Sequence, residues 1–205
     1  MTNIPSKRLM LVQIFLIFIL PVFLIYFNIL PVSWRMVLLA ICSLMIYGII
    51  SRENWSFEDL GLHHHNYKKA IPFYASFAVL GVLILFFIHH ETNAPDIESR
   101  IFFIKTFAFF IPISVFQEFA FRSFLIPRLK MIYKNEFFII FFNAILFTLI
   151  HIIYPNWGIG LPLAFFSGVF FAWLYIKYPN LVLISITHAI LNITAVLLGF
   201  FVIVK

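Results

Sequence analysis

Residues 114–125 read SVFQEFAFRSFL, inside a longer run, 101–121, of IFFIKTFAFFIPISVFQEFAF. Gln117, Glu118 and Arg122 fall within six positions of a segment that otherwise has the make-up of a lipid-buried helix. An ionisable side chain at the centre of a spanning helix costs about 2.5–3.5 kcal/mol even on a lenient insertion scale. The segment is therefore either no span at all, or a span whose charges have partners. Composition decides for the span. Of 205 residues, 63% are hydrophobic and 11% charged, against roughly 25% charged in a soluble domain. A mean hydropathy of +1.05 leaves too little polar surface to coat a water-soluble globule. The fold class is all-α, a polytopic membrane helix bundle.

About 20 apolar residues at 1.5 Å each cross a bilayer core. Seven runs qualify: 9–30, 34–50, 70–89, 101–127, 136–155, 160–177 and 181–203. Lys and Arg mark cytoplasmic loops, which tests a cytoplasmic amino terminus. The inside segments then carry Lys7, Arg8, Arg52, Lys68, Lys69, Arg128, Lys130, Lys134 and Lys177, nine in all. The outside segments carry three, Arg35, Arg100 and Lys205, while Lys105 and Arg122 fall within spans. Nine against three supports seven spans, amino terminus in and carboxyl terminus out. The net charge of +6 belongs to this topology, and nucleic acid is not an expected partner.

The first span follows Lys7 and Arg8 but is longer than a signal-peptide core and has no small-residue cleavage site, so it reads as an uncleaved anchor. The single cysteine, Cys42, excludes disulfide scaffolds and cysteine-based zinc sites. No internal repeat, Gly-rich phosphate loop or GxSxG is present, and no inverted repeat suggests a transporter. The chain reads as one membrane domain over 1–205, with three amino-terminal spans in 1–99 and a core in 100–205.

The polar load of the spans is concentrated. The fourth holds Lys105, Gln117, Glu118 and Arg122; the fifth, Asn143 and His151; the seventh, His188 and Asn192. Residues four apart share a helix face, which pairs Glu118 with Arg122, Phe147 with His151, and His188 with Asn192. Gln117 lies about 100° round from Glu118 and points to a different neighbour. Counted from inner boundaries at Arg128, Phe138 and Leu181, Glu118 lies about 15 Å deep, His151 about 20 Å and His188 about 10 Å. The three are expected to converge in one buried polar pocket, open to the inner side.

Other polar residues have plainer readings. Lys105 is expected to snorkel to the outer interface, and His63, His64 and His65 read as solvated loop. His89, His90 and Glu91 end the third span as interfacial residues. Gly158, Gly160, Ala164, Ser167, Gly168 and Ala172 give the sixth span a small-residue face for close helix packing.

The three pairs, in this order, resemble the CPBP family of CAAX proteases and bacteriocin-processing enzymes, also called Abi proteins. Members carry E-E-x-x-x-R, F-x-x-x-H and H-x-x-x-N on successive core helices. Here these read Gln117-Glu118-Phe-Ala-Phe-Arg122, Phe147-Thr-Leu-Ile-His151 and His188-Ala-Ile-Leu-Asn192. The resemblance covers roughly 100–200, and SFEDLGL at 56–62 echoes a loop found upstream in the family.

The resemblance implies intramembrane hydrolysis of a peptide or membrane-protein substrate at a bacterial cytoplasmic membrane. Glu118 and His151 would activate a water that Gln117 positions. His188 and Asn192 would stabilise the oxyanion, Arg122 would compensate Glu118, and Phe147 would orient His151. Position 117 departs from the pattern, because a carboxamide cannot accept a proton at neutral pH. Three explanations stay open: Glu118 serves as base, the site is inactive and retained for binding in a scaffold or bacteriocin-immunity protein, or the residue is an engineered exchange. No cofactor is expected. A zinc ion would have Glu118, His151 and His188 as ligands by type, but HExxH and second-shell carboxylates are absent.

Overall fold

The computed structural model describes residues 5–62, 67–92 and 100–200, with residues 100–106 described by backbone alone. Among these residues the chain forms seven membrane-type helices in the expected order. They are α1 (Lys7–Tyr26), α2 (Arg35–Arg52), α3 (Tyr67–Thr92), α4 (100–132), α5 (Glu136–Leu149), α6 (Trp157–Lys177) and α7 (Leu181–Leu197). The readings of His63, His64 and His65, of the Lys105 side chain and of Lys205 lie outside the described residues.

Five of the seven are long and apolar enough to cross a membrane, whereas α5 and α7 are shorter. The expected fifth span ran to 155, yet α5 stops at Leu149, and the expected end of the seventh at 203 becomes Leu197. At 14 residues, α5 reaches only about 21 Å. Polar side chains start these helices: Ser6, Asn135 and Asn180 accept hydrogen bonds from the backbone N–H of Leu9, Phe137 and Leu183.

Two helices widen into π turns, and both do so just before a proline. In α1 the π segment Phe15–Ile19 precedes Pro21, and in α4 the segment Phe119–Leu125 precedes Pro127. Proline supplies no N–H to the preceding turn, so the hydrogen-bond ladder shifts register over the residues leading into it. In α4 that shift falls on the stretch that carries Arg122.

Cross-links between helix ends identify a basic end of the bundle. Arg128 Nη2 meets both oxygens of Glu53 at 2.6 and 2.7 Å, and Lys177 Nζ meets Glu136 at 2.9 Å. Arg128 was expected in an inside segment, at the inner boundary of the fourth span. It is fully buried in α4, its guanidinium 5.2 Å from the Trp55 ring and 5.1 Å from Phe124. Burial is tolerated because the carboxylate and the two ring faces replace the water.

Residues 53–62 fold beneath the bundle and close this end. The Leu60 carbonyl accepts from Ser123 Oγ at 2.7 Å and Tyr175 Oη at 3.0 Å, and the Gly61 carbonyl from the Leu181 N–H at 3.0 Å. At the other end, Trp157 of α6 stacks on Tyr26 of α1, and His89 of α3 contacts the Leu198 carbonyl.

The core packs α7 against α3 and α4, and α5 against α6. Gly160, Ala164, Gly168 and Ala172 form a buried stripe at four-residue spacing on α6. A Cβ on Gly168 would lie 3.1 Å from the Ala144 Cα and 3.2 Å from the Phe147 ring, so small residues are what let α5 approach. Gly158 and Ser167, expected on the same face, border a cavity instead.

Gly61 has φ +72°, and a Cβ there would sit 2.3 Å from Tyr175 Oη. Gly61→Ala should lower stability by roughly 1–3 kcal/mol through strain and displacement of Tyr175. Gly48→Ala, where an added Cβ meets nothing within 4 Å, should be neutral or stabilising by up to about 1 kcal/mol. Thermal unfolding of the detergent-solubilised variants measures both, and equal effects at the two sites would contradict the closing role of residues 53–62.

Candidate active site

The polar residues of α4, α5 and α7 meet around two charges that water does not reach. Glu118 and Arg122 lie one turn apart, both fully buried, with Arg122 Nε donating to Glu118 Oε2 at 2.9 Å. The other carboxylate oxygen, Oε1, lies 2.6 Å from His188 Nδ1. A carboxylate accepts only, so this contact places a proton on Nδ1. Arg122 Nη1 donates to Asn143 Oδ1, and Asn143 Nδ2 donates to the Phe121 carbonyl at 2.7 Å. Asn143 thus links Arg122 Nη1 to the backbone of the π turn, while Arg122 Nη2 is buried with no hydrogen-bond partner among the described residues. The guanidinium carbon also lies 5.0 Å from the Phe147 ring and 5.5 Å from Phe171.

Phe147 is the hub that brings the two imidazoles together. Its ring centroid is 5.2 Å from His151 and 5.5 Å from His188, and Phe171 flanks His188 at 5.1 Å. His151 was expected inside a span but occupies the turn after α5. There Nδ1 donates to the Phe147 carbonyl at 2.9 Å, one of the four carbonyls a helix end leaves unsatisfied. That bond fixes the proton on Nδ1 and leaves the lone pair on Nε2.

Two cavities border this cluster. The larger, about 510 Å³, lies between α3, α6 and α7, and His151, His188 and Asn192 contribute to its wall. The smaller, about 130 Å³, lies between α1, α2, α4 and the 150–154 turn; His151 and Gln117 border it, as does Arg35. His151 is common to both. The Gln117 Oε1 is buried with no hydrogen-bond partner, and it faces away from Glu118 as the 100° offset requires. Asn192 Nδ2 donates to Ser114 Oγ at 3.1 Å.

Glu118 was expected to activate a water together with His151. Both oxygens are engaged, and the side chain borders neither cavity, so no substrate water reaches it without breaking an ion pair. The cluster also does not open to the inner side as expected, since residues 53–62 and the packed aromatic rings close that end. The donor set Glu118, His151 and His188 does not fit a metal ion: among the described residues no three His, Cys, Asp or Glu side chains gather closely enough to hold one.

Asn143 and Ser114 are contributors to which the sequence reading gave no role. Asn143 had a signal, since Asn143, Phe147 and His151 recur every four residues along the expected fifth span. Ser114 had none, being one small hydroxyl among many candidates for Asn192.

Removing one partner of a buried ion pair strands the other. Arg122→Met should therefore cost about 3–5 kcal/mol in unfolding free energy, and Glu118→Gln/Arg122→Met should cost less than the single exchange. Chemical unfolding in mixed micelles reads both; a double variant as unstable as the sum of its parts would deny the pairing.

Comparison with protein families matches residues 98–194 to the family described as type II CAAX prenyl endopeptidase Rce1-like. No curated protein and no solved structure matches the chain. The matched region holds Gln117, Glu118, Arg122, Asn143, Phe147, His151, His188 and Asn192, and the apolar helices make the chain an integral membrane protein. By its three helical motifs and this match over residues 98–194, the chain is similar to the CPBP family of CAAX-type intramembrane endopeptidases.

Proposed function

We propose that the protein hydrolyses a peptide bond within the membrane, using its two imidazoles and two carboxamides. The observation that carries this reading is the convergence of His151 and His188 on Phe147, with each Nδ1 bound to an acceptor. Fixed tautomers turn both Nε2 atoms to the work of the site.

His151 Nε2 takes a proton from a water that the Gln117 carboxamide holds, and the resulting hydroxide adds to the scissile carbonyl carbon. Asn192 Nδ2, redirected from Ser114, donates to the oxyanion, a contact worth about 2.7–4 kcal/mol where water is excluded. His188, oriented by Glu118, flanks the same oxygen and donates from Nε2 when its ring carries both protons. His151 then returns its proton to the leaving nitrogen as the C–N bond breaks, giving a carboxylic acid and an amine. Arg122 and Asn143 hold Glu118 and the π turn in place. The reading departs from the one implied by family resemblance in one respect: Glu118 positions His188 and does not itself handle the proton.

Gln at position 117 favours a second reading, a non-catalytic scaffold or bacteriocin-immunity protein of the same fold. A cleavage assay on reconstituted protein with a panel of apolar peptides separates the two. Under the peptidase reading the parent cleaves, Asn192→Ala loses about 10²–10³-fold in turnover, His151→Ala loses activity, and Gln117→Glu keeps it. A parent inert toward every peptide while Gln117→Glu cleaves would establish the scaffold reading.

A further inference from the structure

The smaller cavity, between α1, α2 and α4, has walls whose chemistry selects an occupant. Toward the basic end it is shut by aromatic rings: Phe18 packs edge-on against Phe121 at 5.0 Å and stacks with Phe124 at 6.4 Å. From there it extends to Arg35, which opens α2, and to Tyr154, in the turn before α6. These two side chains interact electrostatically, at the end of the bundle opposite the Arg128–Glu53 pair. Cys42 is the deepest α2 residue on the wall, about 10 Å along the helix from Arg35. The cavity is therefore a narrow shaft that runs down from the Arg35 end and stops against packed rings.

Gln117 stands on this wall, and its Oε1 is buried with no hydrogen-bond partner among the described residues. A carboxamide oxygen only accepts, so what lies beside it has to donate. A lipid tail has no donor to give, and a carboxylate or halide ion only accepts. An ammonium group donates, but the Arg35 charge on the same wall repels it. Water donates and carries no charge. A volume of about 130 Å³ holds about four waters at the ~30 Å³ each occupies in the liquid.

We propose that the smaller cavity is a water channel that enters past Arg35 and Tyr154 and ends on Gln117. By the positive-inside rule its mouth faces the outer side. Water thus comes to Gln117 from the α1–α2 side, by a path separate from the larger cavity. Hydration of Gln117 does not depend on catalysis; that this water is the one consumed rests on the peptidase reading.

The chain's one cysteine, Cys42, is a built-in probe of the shaft. Silver ion is water-sized, does not cross hydrocarbon, and forms an S–Ag bond with release of the thiol proton. Added in nitrate buffer to oriented proteoliposomes, it should abolish later maleimide labelling of unfolded protein at Cys42. The effective side should be the one from which a membrane-impermeant maleimide modifies Gly158→Cys in a Cys42→Ala background. Protection from the side that modifies Lys134→Cys, or from neither side, would overturn the proposal. Hydration is read separately by water-edited solid-state NMR. With glutamine isotopically labelled and Gln13→Leu leaving Gln117 as the one labelled residue, water magnetisation should reach its side-chain amide; no transfer would mean a dry site and overturn the proposal. If Cys42 is reached and Gln117 is wet while no peptide is cleaved, the peptidase reading fails and the channel stands. A dry Gln117 in a protein that cleaves peptides would leave that reading intact and remove the channel.

Discussion

A guanidinium enclosed by hydrocarbon needs a counter-charge and acceptors nearby, and the centre of this protein is arranged around Arg122. Its charge is met by Glu118 one turn earlier, its Nη1 by Asn143 on α5, and its face by Phe147 and Phe171. Each of these residues is thereby committed, and each commitment positions something else. Glu118, held by Arg122, holds His188. Asn143 ties α5 to the Phe121 carbonyl in the π turn of α4. Phe147 carries His151 on its own carbonyl. His188 stands one bond outward from a neutralised core pair, which is how a lipid-buried site keeps polar residues without leaving a lone charge.

The same constraint explains two irregularities of backbone. The π turn at Phe119–Leu125 leads into Pro127 and places Arg122 within reach of both Glu118 and Asn143. The early end of α5 leaves His151 in the turn that follows, its Nδ1 on the Phe147 carbonyl. Both depart from regular helix where the polar groups meet. Residues 53–62 close one end of the bundle, and the larger cavity lies between α3, α6 and α7.

Much of the architecture is legible in the sequence. Seven hydrophobic runs become seven helices, and the four-residue pairs on the fourth, fifth and seventh do meet. Periodicity and burial cost suffice for that, because a polar residue in a span has few places to go. What escaped is what depends on distance between helices. That Glu118 gives one oxygen to Arg122 and the other to His188 follows from how α4 and α7 cross. Its place at the inner boundary of the fourth span does not reveal the partner of Arg128; the fold of residues 53–62 back onto the bundle buries it against Glu53. The direction of the cavities was misjudged for the same reason: depth along a helix says nothing of which end the loops close.

The central contention is that Glu118 and His188 act as one unit, the acid aligning the imidazole. A double-mutant cycle on unfolding free energy, with Glu118→Gln, His188→Gln and the pair together, tests it most directly. A coupling energy of about 0.5–3 kcal/mol is expected for side chains in such contact. Exchanges that add to within about 0.3–0.5 kcal/mol would mean that the two residues do not touch, and the assignment of roles around them would be wrong.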